Sequence, residues 1–147
     1  MTRLFSLLAL CAGLLSSAAF ALEFRSVKET GVALYEAPAL TATKLFVVSR
    51  YYPVEVISRQ KEWARVRDAS GAIAWIPAAA LSRQHWLLVT ADQALVKDTP
   101  AADGHTLFSV ARDGVLEMLE PAKAGWVKVR HRDGSAGYAS IADLWGL

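Results

Sequence analysis

Side chains able to do acid–base or metal chemistry are few and scattered in this sequence. His85, His105 and His131 lie far apart, with no H-x-x-x-H and no cysteine–histidine spacing that would hold a metal. Cys11 is the single cysteine among 147 residues, and it falls in the apolar N-terminal run described below. Without it the chain has no thiolate nucleophile, disulfide or cysteine metal site. No G-x-S-x-G elbow presents a serine. The carboxylate pairs, Glu117 with Glu120 and Asp98 with Asp103, fall where a strand end or a loop is simply hydrated, and the histidines read as loop residues in solvent. These types and spacings predict no catalytic residue, no metal site and no cofactor.

The richer signal is aromatic and basic. Trp63-Ala64-Arg65-Val66-Arg67 is followed by a turn at Gly71 and by Ala74-Trp75-Ile76, and the pattern returns 63 positions later as Trp126-Val127-Lys128-Val129-Arg130, Gly134 and Gly137-Tyr138-Ala139. Each copy reads as a β-hairpin. If Ala64 and Val66 face a core, Trp63, Arg65 and Arg67 face the other side of the pleat, and Trp126, Lys128 and Arg130 do so in the second copy. A tryptophan beside basic side chains can stack on a peptide or sugar and pair with its carboxylate. It can equally pack across the strand on Trp75 or Tyr138, or cover a contact between domains.

The elements that must position these residues come from a duplication. A shift of 62 lays Phe24 on Trp86, Leu34 on Val96, Pro38 on Pro100, Phe46 on Phe108 and Val54-Glu55-Val56-Ile57 on Leu116-Glu117-Met118-Leu119; one inserted residue near Gly125 then changes the shift to 63. Matches in one order with a single gap indicate an internal repeat of about 60 residues. Each copy reads as short strands separated by turn signals. In the first these are Phe24 to Val27, Val32 to Tyr35, Leu45 to Val48, Val54 to Ser58, Trp63 to Arg67 and Ile73 to Ile76. Pro38 and Pro100 end strands, while Ala78 to Leu81 and Ile141 to Leu144 suit a single helical or 3₁₀ turn. The expected architecture is all-β, with two small barrels in tandem. The connection from Ser82 to His85 is too short to let them wander, and units this small are marginal alone, so the copies are expected to pack on one another.

The N-terminal run carries an address. Arg3 precedes Leu4 to Leu22, a run without charge that ends in Ser16-Ser17-Ala18-Ala19-Phe20-Ala21. This is the pattern of a secretory signal peptide cleaved after Ala21. The same run, about 19 residues, is just long enough to cross a bilayer as an uncleaved helical anchor. Domain limits follow as residues 1–21 for the signal, 22–84 for the first unit and 85–147 for the second. With Arg3 removed, the net charge is about +1, too near neutral to argue for nucleic acid or an anionic membrane surface.

A unit with Leu34-Tyr35-Glu36-Ala37-Pro38, a V-x-V-I strand, W-x-R/K-V-R, then G-x-x-x-W-I and a closing A-x-x-L resembles the bacterial Src-homology-3-like (SH3-like) domain, in two tandem copies over residues 24 to 147. The resemblance implies a five-stranded β-barrel used as a non-catalytic binding module in cell-envelope proteins, where it can hold peptidoglycan peptides. The first copy alone carries Tyr35, Tyr51, Tyr52 and Trp75, where the second has Lys97, Asp113, Gly114 and Tyr138. The expected ligand site is therefore a groove of the first domain lined by Tyr51, Tyr52, Trp63 and Trp75, with Arg65 or Arg67 at its edge. Its partner would be a cell-wall peptide or an envelope protein met in the periplasm or outside the cell. The alternative is a structural or interaction protein, an adaptor or homodimer, with no small ligand.

Overall fold

The computed structural model describes residues 21–147. The expected signal helix, residues 1–21, lies almost wholly outside the described residues. Within them, no helix is long and apolar enough to cross a membrane. The first unit consists of β1 (Phe24–Val27), β2 (Val32–Tyr35), β3 (Lys44–Val48), β4 (Pro53–Gln60), β5 (Trp63–Arg67), β6 (Ile73–Pro77) and β7 (Leu81–Ser82). The second consists of β8 (Trp86–Val89), β9 (Gln93–Lys97), β10 (Thr106–Ala111), β11 (Val115–Met118), β12 (Trp126–Arg130), β13 (Ala136–Ser140) and β14 (Leu144–Trp145). A single 3₁₀ turn, Ala78–Ala80 or Ile141–Asp143, precedes the last strand of each.

Each unit forms one antiparallel sheet of seven strands, in the order β3-β2-β6-β5-β4-β1-β7 and β10-β9-β13-β12-β11-β8-β14. The all-β reading holds, but the five-stranded closed barrel does not. The ladder stays open between β3 and β7, and between β10 and β14, because a two-residue strand after the 3₁₀ turn adds to β1 or β8 and ends there. Bulges bend the sheet so that it still wraps a core: in the first unit the register shifts between Val56 and Ser58 and between Leu34 and Tyr35.

Alternation places the core. In β5, Ala64 and Val66 are buried while Arg65 and Arg67 are exposed, so the hairpin gives one face to the interior. Val27, Leu34, Val54, Val56, Ala64, Val66, Ala74 and Ile76 form the first cluster. The second is larger and includes Val110 and Leu144, whose counterparts Val48 and Leu81 are only partly buried. Each fully buried aliphatic side chain contributes about 1.5–3 kcal/mol relative to exposure.

The two units repeat in backbone as well as in sequence. Val27 N–H donates to Tyr52 O and Tyr51 N–H to Val27 O; Val89 N–H donates to Gly114 O and Asp113 N–H to Val89 O. Tyr51 and Asp113, at φ 71° and 68°, both occupy the left-handed region.

The units are packed together. All four residues of β8 are buried, since Leu87 and Val89 point into the second core while Trp86 and Leu88 point towards the first unit. Trp86 stacks on Tyr51 with ring centroids 3.9 Å apart. Phe24 meets Trp145 edge-on at 5.2 Å and tilts over His85. Ser26, fully buried, donates its hydroxyl to Gln84 O at 2.8 Å, which satisfies the one polar side chain that this face hides.

Candidate functional site

The six residues expected to line one groove fall in two places. Trp63 and Trp75 share the outer face of the β5–β6 hairpin with Arg65, which is directly opposite Trp75. Tyr51 and Tyr52 lie before the start of β4, whereas Trp63 pairs with Gln60 at its far end. A strand rises about 3.3 Å per residue, so the length of β4 separates the two pairs. Arg67 is near the tyrosine end, where it pairs with Glu55 at 3.2 Å.

Tyr51 and Tyr52 belong to the junction between the units. Tyr51 covers Trp86. Tyr52 packs on the first core, and its phenol is held above the ordinary value of 10.0 by burial first, then by Asp68 and Asp113. The raised value means that above pH 10 the native chain keeps a proton that the unfolded chain loses. The associated stability is complete below pH 10 and falls as pH rises through the folded value. As pH rises above about 10 the urea midpoint of the wild type is therefore expected to drop more steeply than that of Tyr52→Phe. Parallel slopes would refute the assignment.

On the face carrying Trp63 an aromatic ring packs against the indole. Tyr35, itself 8% exposed, meets the Trp63 ring edge-on at 5.4 Å and sits opposite Trp75. Trp63 thus packs on Tyr35 and not on Trp75, which is across from Arg65.

In the second unit the same face is open. Lys97 replaces Tyr35 and turns its ammonium to Thr106 Oγ1 at 3.0 Å, so no aromatic ring covers Trp126 among the described residues. Pro121 has no N–H to extend β11, which ends at Met118. The chain then loops out through Ala124, at φ 51°, and returns by a lone bridge between Lys123 and Trp126. In the first unit β4 continues to Gln60, directly across from Trp63. The result is a groove of about 310 Å³ between Trp126 and Tyr138 on its floor and Pro100, Pro121 and Lys123 on its walls. Lys128, directly opposite Tyr138, pairs with Glu120 at 3.4 Å. That exposed ion pair is weak and exchangeable. Trp126, Lys128 and Tyr138 were visible as an alternating pattern; the signal that they line a groove was the inserted residue near Gly125.

The histidines and carboxylates are placed structurally. His85 is not in solvent: its Nε2 is hydrogen-bonded to the Gly146 carbonyl at the junction. His131 lies against Phe108, while His105 is exposed. Glu117, part buried, pairs with Arg130 at 2.7 Å. Among the described residues no three His, Cys, Asp or Glu side chains converge as metal ligands would.

Two family models described as bacterial SH3 domain match the sequence, one over residues 30–82 and the other over residues 90–146. No match is found among curated proteins. Solved structures similar to the chain include NlpC2 of Trichomonas vaginalis, at 17% identity and TM-score 0.38, covering 85% of this chain and 48% of that one. NlpC1 of the same organism gives 18%, 0.39, 88% and 47%. An NlpC/P60 family protein of Bacillus cereus ATCC 10987 gives 16%, 0.35, 84% and 56%. The chain spans about half the length of these proteins. With a family match over each of the two sheets, the chain belongs to the bacterial SH3 domain family and carries two of these domains in tandem.

Proposed function

We propose that the chain is an exported, non-catalytic binding module of the cell envelope that holds a peptidoglycan peptide in the Trp126–Tyr138 groove. One observation carries this reading: a groove at a tryptophan lined by two lysines and two prolines, in a domain whose twin has Tyr35 packed on the equivalent tryptophan. Aliphatic parts of a peptide stack on the indole and phenol, and a free carboxylate replaces Glu120 on Lys128 or pairs with Lys123. Export rests on the signal pattern at residues 1–21. The absence of catalysis is supported by where the acid–base groups lie, with His85 committed to the junction and Glu117 to Arg130.

The test is retention on purified sacculi. Wild type is expected to be retained, and Trp126→Ala to lose about 1–2 kcal/mol of binding, about five- to thirtyfold in Kd, with its melting temperature kept. Trp63→Ala serves as the control, because Trp63 already packs on Tyr35. Equal retention of Trp126→Ala, or loss only with Trp63→Ala, would refute the groove. A wild type that ignores sacculi but co-purifies with an envelope protein would move the ligand from wall peptide to protein segment.

A further inference from the structure

The edge strand β3 departs from the alternation that governs the rest of the sheet. Leu45, Phe46 and Val47 are consecutive and all exposed, at 42%, 45% and 67%. The fold does not require this. In the twin strand β10, Phe108 lies on the core against His131 and Val110 is buried. The first unit has Asp68 where the second has His131, and Asp68 is turned into its own loop, accepting from Ser70 and Ala72 N–H. Nothing there covers Phe46. Leu45 is also the extra residue of the bulge between Leu34 and Tyr35, and β3 pairs with β2 alone. A row of unpaired backbone groups with apolar side chains on both faces is a template for another strand.

The strand leads into the junction between the domains. Val47, Val48, Ser49 and Arg50 form one side of a cleft of about 390 Å³, and Asp113, Gly114, Val115 and Arg132 form the other. An arginine from each domain lines it, Arg50 and Arg132, with Asp113 as the one carboxylate in the lining. Arg50 lies over the Tyr51 ring at 4.8 Å, and neither Arg50 nor Arg132 is in an ion pair among the described residues.

We infer that β3 takes up an extended segment of another protein by strand addition, and that this segment carries apolar side chains at alternate positions and acidic residues at the end that enters the Arg50–Arg132 cleft. Main-chain hydrogen bonds along β3 supply the pairing, Leu45 and Val47 the apolar contact, and the two arginines the polarity. A second copy of the same chain does not fit the edge. Antiparallel pairing centred on Val47 would set Lys44 of each copy against Arg50 of the other, with like charges opposed at both ends.

The probe is a fluorescently labelled synthetic peptide alternating threonine and valine and closed by two aspartates, compared with the same peptide closed by two lysines. The full chain is expected to bind the acidic form at least about tenfold more tightly than the basic one. Val47→Lys, at an exposed position that leaves the fold intact, weakens the acidic peptide by a similar factor, and Arg132→Glu reverses the preference. Binding of this peptide is unchanged in Trp126→Ala, which separates the edge from the peptidoglycan groove. Equal binding of the two peptides, or a Val47→Lys variant that binds as wild type, would overturn the inference. So would sedimentation showing a dimer that Val47→Lys dissociates, since the edge would then belong to a second copy.

Discussion

Trp86→Ala is expected to destabilise the chain by about 3 to 5 kcal/mol, the usual cost of deleting a buried tryptophan. Trp86 is 5% exposed, yet it opens β8 on the side away from its own core, so the loss falls on the contact between the domains. The contact also sits on a turn that backbone hydrogen bonds impose on both units, at Tyr51 and again at Asp113. Tyr51 holds a left-handed backbone at φ 71°, which costs a non-glycine residue about 1–2 kcal/mol. Stacking at 3.9 Å on Trp86 offsets that cost; with Trp86 removed, Tyr51 keeps the strain and loses the partner. Residues 22–84 produced without the second domain should for the same reason melt well below the full chain, with Phe24 and Ser26 newly exposed. Urea unfolding followed by circular dichroism measures both. A loss under about 1 kcal/mol in Trp86→Ala, or an isolated first domain as stable as it is in the pair, would show that the domains are neighbours without being coupled.

The strands were legible because alternation is a local property. Phe24–Val27, Val32–Tyr35 and Trp63–Arg67 are read from the sequence with the bounds that the structure shows, and Ala78–Ala80 is the expected 3₁₀ turn. The closing strands Leu81–Ser82 and Leu144–Trp145 were not, since two residues carry no period. With them went the open seven-strand ladder. The junction was hidden for a different reason: which aromatic of one unit meets which of the other depends on how two sheets dock. Nothing local marks Tyr51 as a partner of Trp86. Tyrosine content points to a groove in the first copy, where Tyr35 packs beside Trp63. Fewer aromatics left it open in the other copy, where Lys97 and Pro121 make room next to Trp126.

Gly137→Ala is the second large effect, and it joins stability to binding. Gly137 is buried in β13 opposite Val129, and a Cβ placed there would lie 2.5 Å from the Lys97 carbonyl oxygen and 2.7 Å from Val96 Cγ1. The first of these atoms is backbone, so a rotamer change gives no relief and β9 itself must move. Overpacking of this kind costs about 3 kcal/mol. The twin position in the first domain holds Ala74, 3% exposed and part of the core. There β2 and β6 already accommodate a methyl group, and Ala74→Gly should cost only about 1 to 2 kcal/mol, from the lost methyl and the added chain entropy. The displacement caused by Gly137→Ala has a consequence that Ala74→Gly lacks. Lys97 is opposite Tyr138, so shifting β9 pulls on the floor of the Trp126 groove, and retention on sacculi should weaken at temperatures where the variant is still folded. A Gly137→Ala protein as stable as wild type would mean that β9 and β13 do not approach this closely. One that is destabilised but binds undiminished would leave Tyr138 out of the site.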